Sequence, residues 1–226
     1  PDFKTSSGTT RINYLWDQTL TSAPTSPLPS GYGQEWTSAQ INASLCTHSD
    51  LAHYGHGTHV TGIAAGNGLA NGTHYGISSE ADIIVVALDF NKNGTIIADA
   101  ANYIFNKAAL LGKPCVINAS VGNYYGSHDG TDLEAQLIDN MIGPTKPGKV
   151  IVAAAGNAGN IKYHTKTTVN GIDTNFTWIQ NSSSSLNYWL HADTLQIKSV
   201  FINVGVNRLN YLNIGNTGFK PYHSAL

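Results

Sequence analysis

The chain has 226 residues and a formal net charge of −2 at pH 7, from 12 Lys and Arg against 14 Asp and Glu. This balance supplies no basic field to attract nucleic acid, so we expect no nucleic-acid partner. Charged residues make up 12% of the chain, about half the usual share of ~25%. No run of 18 apolar residues occurs, so we expect no membrane span.

The first part of the chain predicts a strand, a loop and a short helix. Residues 11–16 nearly alternate between polar and apolar side chains, which indicates a strand half covered by the core. Residues 22–34 are rich in Pro, Ser and Gly and predict a surface loop. Thr37 and Gln40 have the spacing of a capping box, so we expect a short helix through Leu45.

Residues 82–155 alternate between apolar runs and amphipathic segments. The runs are rich in β-branched residues, as in strands buried on both faces of a parallel sheet. We predict strands at 82–88, 114–120 and 149–155, and helices at 95–111 and 132–142. Short connections between them predict a right-handed parallel α/β layer with a binding crevice at the carboxyl ends of its strands.

Beyond residue 160 the helical period disappears and short β-rich stretches follow one another. Their positions are 174–180, 186–191, 196–204 and 208–214. We predict an antiparallel, sandwich-like β module, and therefore two domains, at 1–160 and 161–226. Its aromatic residues could stack on sugars, but core packing is the commoner role of aromatics in a β-sandwich; they are Trp178, Tyr188, Trp189 and Tyr211.

The clearest chemical motif begins at His56. Residues 56–62 read His-Gly-Thr-His-Val-Thr-Gly, which predicts a tight loop leading into a short buried helix, with the imidazole at its start. The run resembles the His-Gly-Thr-His-Val-Ala-Gly block of the subtilisin-like serine proteases, with Thr61 in place of the usual alanine. The resemblance implies that His56 is the general base.

Residues 116–122 read Val-Ile-Asn-Ala-Ser-Val-Gly and are similar to a substrate-binding segment of the same family. The resemblance implies that Ser120, Val121 and Gly122 bind the extended backbone of a peptide substrate, as an added strand would. Asn123 stands where a second glycine is common. We expect this change to narrow or reshape the subsite.

Residues 152–159 match the Ala-Ala-Gly-Asn block of the family closely. The resemblance implies that the Asn157 amide completes an oxyanion hole. The small residues Ala154, Ala155 and Gly156 would leave a slot open for substrate. By itself, Gly-Asn after a strand is more often a plain turn, and only its order and spacing relative to His56 and Ser120 favour the catalytic interpretation.

The start of the chain is similar to a branch of the family that includes the spore-germination proteases. Pro-Asp-Phe at residues 1–3 and Trp-Asp-Gln-Thr at 16–19 carry this likeness. The likeness implies that the catalytic aspartate lies just before residue 1 and that a jelly-roll-like insertion follows Asn157. Asp2 and Asp17 are therefore expected at turns or on the surface. Ser224 lacks the Gly-Thr-Ser-Met-Ala setting of the family's nucleophile.

The predicted fold class is therefore α/β: a partial, parallel-sheet subtilisin-like catalytic core with an antiparallel β-rich insertion. The resemblance implies a serine endopeptidase that acts on peptides or proteins, located outside the cell or in its envelope. These 226 residues alone should be inactive, because only the histidine of the Asp/His/Ser triad is present. The alternative is a pseudoprotease or peptide-binding module that keeps the groove without catalysis.

A metal site is a further hypothesis, because His53, His56 and His59 recur at every third residue. Gly55 and Gly57 oppose a helix through all three, and no Glu follows the first histidine as in metalloproteases. We predict no metal ligands and no required cofactor; a structural calcium ion would suit the family, but no motif indicates one. The two cysteines, at 46 and 115, allow at most one disulfide, and the apolar surroundings of the second favour an inert core thiol.

Overall fold

The computed structural model describes residues 1–20, 30–92, 94–168, 174–179, 188–192, 200–207, 213–216 and 220–221. The chain divides into two compact units, one of residues 1–124 and 128–165 and the other of 125–127 and 166–226. The predicted domain boundary at residue 160 stays a prediction. No helix among the described residues is long and apolar enough to span a membrane.

The first unit contains five strands and four α-helices in its described residues. The strands are β1 (Ile12–Asp17), β2 (Gln34–Thr37), β3 (Ile83–Ala87), β4 (Cys115–Ala119) and β5 (Lys149–Ala153). The helices are α1 (Ser38–Asn42), α2 (His56–Ala65), α3 (Ile96–Leu110) and α4 (Leu133–Asp139). Every strand and helix predicted between residues 11 and 155 is confirmed, with ends shifted by a few residues, whereas β2 was not predicted.

The strands form two sheets rather than the single predicted layer. The first sheet has the order β2-β1-β3, with β1 antiparallel to β2 and parallel to β3. The second sheet is the parallel pair β4-β5. Thr37 caps α1, and the Gln40 side chain accepts a hydrogen bond from the Thr37 backbone N–H, which confirms the predicted capping box.

One face of the β4-β5 sheet is packed against α3 and the other is open. Ala101 and Phe105 of α3 form a buried cluster with Ile117. On the opposite face Val116 is 70% exposed and Val150 is 49% exposed. The prediction that these strands are buried on both faces is wrong for the described residues, because an apolar run cannot reveal whether a second layer covers it.

Both cysteines are free thiols in the structure. Cys115 lies half-buried at the start of β4, beside the cluster beneath α3. Burial raises the pKa of the Cys115 thiol, although the nearby Lys149 ammonium works in the opposite direction. A raised pKa leaves less thiolate at neutral pH, so the inert character predicted for Cys115 fits its surroundings.

Arg11 joins β1 to the end of α2. Its guanidinium is buried and donates hydrogen bonds to the Ala65 carbonyl oxygen at 2.7 Å and to the Ala81 carbonyl oxygen at 2.6 Å. A third hydrogen bond reaches the Asp2 carbonyl oxygen at 3.2 Å. A cation is favourable at the C-terminus of a helix, where unpaired carbonyl groups carry partial negative charge. Arg11 therefore stabilises the C-terminal end of α2.

A backbone loop also holds the end of α2 in place. The Gly76 N–H donates to the Gly66 carbonyl oxygen at 2.7 Å, and Ile77 N–H donates to the Ile63 carbonyl oxygen at 3.1 Å. A Cβ atom at residue 76 would lie 2.6 Å from the Gly62 carbonyl oxygen. Only glycine allows the two backbones to approach this closely.

The second unit contains two short antiparallel pairs in its described residues. They join β6 (Phe201–Ile202) to β9 (Lys220–Pro221), and β7 (Gly205–Asn207) to β8 (Asn213–Asn216). Residues 174–179 and 188–192 form no strand, so the strands predicted there are wrong. Residues 208–212 lie outside the described residues, and the jelly-roll-like character stays a prediction.

The aromatic residues of this unit were expected in a sandwich core. Instead Trp178 is 64% exposed and Trp189 is 53% exposed. The Trp189 ring contacts Tyr125 at a centroid distance of 4.8 Å. Tyr211 lies outside the described residues. The expectation of core packing is therefore wrong for Trp178, Tyr188 and Trp189, whose side chains are exposed in the described part of the chain.

We expect Arg11→Ala to lower the free energy of unfolding by about 3 kcal/mol, because it leaves one buried and two part-buried carbonyl groups without their charged donor. Urea denaturation followed by circular dichroism would measure the change. Lys162→Ala is the matched control, since it removes the same charge from an exposed side chain. Equal stability of Arg11→Ala and this control would contradict the role assigned to Arg11.

Candidate active site

His56 is the first residue of α2 and is exposed. Two residues with left-handed backbone, Tyr54 (φ 55°) and Gly55 (φ 70°), turn the chain immediately before it. This confirms the predicted tight loop at the helix start. The predicted burial of the helix is wrong, because Ala65 is the only one of its residues that is buried among those described.

Asp50 caps α2 from outside the helix. Gly55 occupies the N-cap position and has no side chain to accept a hydrogen bond. The Asp50 carboxylate takes this role, accepting a hydrogen bond from the Thr58 backbone N–H at 2.8 Å. A carboxylate is favourable at the positive end of a helix. No local sequence pattern indicates Asp50, because this residue lies well before the helix and outside the usual capping positions.

No carboxylate hydrogen-bonds to the His56 ring in the part of the chain that the structure describes. His53 lies in a short 3₁₀ turn before α2, and His59 lies within the helix. The described residues contain no group of three His, Cys, Asp or Glu side chains arranged to hold a metal ion. The three histidines therefore form no common ligand cluster within the described ranges.

A buried acid and histidine pair occurs at a different position. Asp17 Oδ2 lies 2.7 Å from Nδ1 of His48 at the end of β1. Asp17 Oδ1 accepts hydrogen bonds from the backbone N–H and the hydroxyl of Thr19, at 2.9 and 2.6 Å. Asp17 therefore has the predicted turn role, but its side chain is buried rather than on the surface. The Asp-x-Thr pattern indicates the turn, and nothing local indicates His48.

The Asp2 carboxylate also accepts a hydrogen bond from the backbone. Its Oδ1 atom accepts a hydrogen bond from the Ala70 backbone N–H at 2.7 Å, which ties the start of the chain to the loop after α2. Neither Asp2 nor Asp17 hydrogen-bonds to His56. Both aspartates thus stabilise turns and loops.

The predicted substrate and oxyanion segments lie side by side at the carboxyl ends of β4 and β5. The Ala154 N–H donates to the Ala119 carbonyl oxygen at 3.0 Å, so parallel pairing continues one residue beyond β5. Ser120, Val121 and Gly122 follow β4, and the Ser120 hydroxyl accepts a hydrogen bond from the Asn118 amide at 2.9 Å. The structure thus brings together the segment expected to bind substrate and the segment expected to bind the oxyanion.

The turn after β5 presents Asn157 to solvent. Ala154 and Ala155 are also exposed, and Gly156 adopts a left-handed backbone with φ 91°. No hydrogen bond occupies the Asn157 side-chain amide within the described ranges, so the amide is available to a ligand. The catalytic and substrate-binding roles of these residues stay predictions.

Tyr124 contacts this turn directly. No motif in the sequence indicates this contact. Its hydroxyl oxygen accepts hydrogen bonds from the backbone N–H groups of Asn157 and Ala158, both at 2.9 Å. Its ring stacks on Tyr163 with a centroid distance of 4.4 Å and an interplanar angle of 11°. A Cβ atom at residue 156 would collide with the Tyr124 hydroxyl, and the left-handed backbone, with φ 91°, also favours glycine there.

The two halves of the predicted site are held by separate sets of hydrogen bonds. Ser120 and Asn157 lie just beyond the carboxyl ends of β4 and β5, whereas the hydrogen bonds around α2 lead to Arg11 and the loop at Gly76. No hydrogen bond joins the His56 side chain to Asn157 within the described ranges.

The Asp17 pair predicts a pH-dependent stability. Burial by itself raises the pKa of Asp17, but hydrogen bonds from His48 and Thr19 outweigh it and hold the pKa below the usual 3.8. A lowered pKa stabilises the fold above the pKa of the unfolded state, and this contribution is lost as the pH falls from about 4 through the lower, folded-state pKa.

We therefore expect Asp17→Asn to cost about 1–3 kcal/mol at pH 7 and less at pH 3. Urea denaturation at the two pH values would measure this. Asp139→Asn, at an exposed residue of α4, is the control. An equal loss at both pH values would refute an ionised Asp17.

Comparison with known proteins places the chain in a family. The profile of the subtilase family matches residues 32–200. The chain is 34% identical to subtilisin from Bacillus sp. (strain TA39) over 123 residues, which cover 53% of this chain and 27% of the relative. It is 31% identical to the thermophilic serine proteinase of Bacillus sp. (strain AK1) over 164 residues, which cover 67% of this chain and 37% of the relative.

The fold is similar to that of the CspB protease from Clostridium perfringens, with a TM-score of 0.56 and 30% sequence identity. This likeness covers 70% of our chain and 33% of that protease. The chain thus spans between 27% and 37% of the length of these relatives. Because the family profile matches well over half of its residues, the chain belongs to the subtilase family.

Proposed function

We propose that these residues form part of a serine endopeptidase of the subtilisin type, with His56 as general base and Asn157 as oxyanion donor. The family match carries this proposal, because residues 32–200 include both side chains together with the substrate segment at Ser120. The matched parts cover 27% and 37% of the length of the two relatives. The proposal therefore leaves room for further catalytic residues outside these 226 residues.

In the proposed reaction His56 removes a proton from a serine hydroxyl as its oxygen attacks the scissile carbonyl carbon. The carbonyl oxygen, on which negative charge develops, accepts a hydrogen bond from the Asn157 side-chain amide. Protonated His56 then gives its proton to the leaving amine. Water hydrolyses the acyl-enzyme in a second round of the same proton transfers. The serine and the acid that orients His56 would lie outside this chain.

The proposed substrate is a peptide or a protein in an extended conformation. Ser120, Val121 and Gly122 leave the end of β4, where backbone groups can pair with an added strand. The neighbouring Ala154 and Ala155 are small and exposed, which leaves room beside the scissile bond. Main-chain pairing recognises any sequence, so side-chain preference would depend on the rest of the pocket.

A pseudoprotease or peptide-binding module is the second candidate. The observation that favours it is the absence of any carboxylate hydrogen-bonded to His56 in the described part of the chain. Against it, a groove that only binds peptides needs neither a histidine base nor an exposed oxyanion donor. The two candidates differ in the flanking reading frame: an Asp-Thr-Gly motif upstream and a Gly-Thr-Ser motif downstream belong to the enzyme.

We also propose an extracellular or cell-envelope location. Membership of the subtilase family and the low share of charged residues, 12%, support it. Fractionation of the native host, with this chain detected by antibody, would test the location. Recovery of the protein only from the cytosolic fraction would contradict it.

We expect the 226-residue chain by itself to show no peptidase activity. No serine in its sequence has the Gly-Thr-Ser-Met-Ala setting of the family's nucleophile, and no carboxylate among the described residues hydrogen-bonds to His56. Hydrolysis of fluorescent casein by the purified chain would measure this. Turnover that disappears in His56→Ala would contradict the prediction. Turnover that persists in His56→Ala would indicate a contaminating protease, and the preparation would be repurified.

In the protein produced from its complete reading frame we expect Asn157→Ala to lower kcat by about 10²–10³, the loss found when one oxyanion donor is removed from a subtilisin. KM should change little, because the charge develops only in the transition state. Asn160→Ala, three residues further along and also exposed, is the matched control. A raised KM with unchanged kcat would assign Asn157 to substrate binding instead.

A further inference from the structure

Tyr124 connects the two segments that the proposed function assigns to substrate and to the oxyanion. It lies two residues after Gly122, in the loop that leaves β4. Its hydroxyl oxygen accepts from two consecutive backbone N–H groups, those of Asn157 and Ala158, at 2.9 Å each. One side chain thus links the ends of two neighbouring strands.

These hydrogen bonds restrain the conformation of the turn. Two successive N–H groups converge on one oxygen only when the backbone between them adopts a narrow range of torsion angles. Gly156, with φ 91°, provides the bend and the space that the hydroxyl requires. The Tyr124 ring also stacks on the Tyr163 ring, which restrains its orientation. The turn is otherwise exposed, so burial contributes little to holding it.

We propose that Tyr124 is a positioning residue that sets the direction of the Asn157 side chain for oxyanion binding, a role that rests on the proposed peptidase function. The Asn157 backbone N–H is engaged by the Tyr124 hydroxyl, so the backbone is held while the side-chain amide stays available. Loss of the hydroxyl lets the turn rotate, and the amide then spends less time facing the developing charge. Preorganised donors stabilise a transition state better than mobile ones.

The first test needs no activity and uses the 226-residue chain. Tyr124→Phe keeps the ring and its stack but removes the hydroxyl. Amide hydrogen exchange of Asn157 and Ala158, followed by nuclear magnetic resonance, should become about tenfold faster. Tyr75→Phe, which removes a hydroxyl from a tyrosine that is 65% exposed, is the matched control and should leave both amides unchanged. Unchanged exchange in Tyr124→Phe would overturn the proposal.

The second test uses the protein from the complete reading frame. Tyr124→Phe should lower kcat about tenfold with an unchanged KM, and it should have less than about a twofold effect in an Asn157→Ala background, because coupled residues are not additive. Tyr75→Phe should leave both constants unchanged. An equal loss in both backgrounds, or a raised KM with unchanged kcat, would overturn the positioning role.

The two tests separate failure of this inference from failure of the proposed function. A wild-type protein from the complete reading frame without peptidase activity would refute the proposed function. Amide exchange in the 226-residue chain would still decide whether the Tyr124 hydroxyl holds the Asn157 turn. Faster exchange together with normal kcat would overturn the inference while leaving the peptidase function intact.

Discussion

The position of the His56 helix depends on the buried guanidinium of Arg11. Helix α2 has ten residues, and Ala65 is the only buried one among them. Apolar burial can therefore contribute little to holding it. Polar contacts act at both ends instead: Arg11 donates to the Ala65 carbonyl oxygen, and Asp50 accepts from the Thr58 N–H. Charges of opposite sign at the two ends match the direction of the helix dipole.

The Asn157 turn, the other half of the candidate site, is also held by hydrogen bonds rather than by apolar burial, but here the groups are uncharged. The apolar core lies beneath α3, where Phe105 packs with Ile117, and it supports β4 and β5 along one face. The residues that follow β5, at 154–157, are exposed and have no contact with that core. There the Tyr124 hydroxyl binds the turn of Asn157. The candidate-site segments at the edge of the core are thus held by a few specific hydrogen bonds.

The pair of Asp17 and His48 shows why residue types alone do not identify a catalytic site. A carboxylate 2.7 Å from an imidazole nitrogen is a familiar feature of hydrolases. Here the carboxylate is buried and also binds both donors of Thr19. Its hydrogen bonds are satisfied by the fold, and they join the end of β1 to the segment before α2. The pair is thus structural, whereas His56 remains exposed and available.

Local sequence patterns determined the elements, because hydrophobic period, capping and turn chemistry act between near neighbours. They predicted α1 from Thr37 and Gln40, and they predicted β4, β5 and α3 from apolar spacing. Short motifs around His56 and Asn157 determined the family. Only the tertiary structure decided that Arg11 is buried, that Val116 faces solvent and that Tyr124 reaches the Asn157 turn. These outcomes depend on which distant segments meet, and no local period encodes that choice.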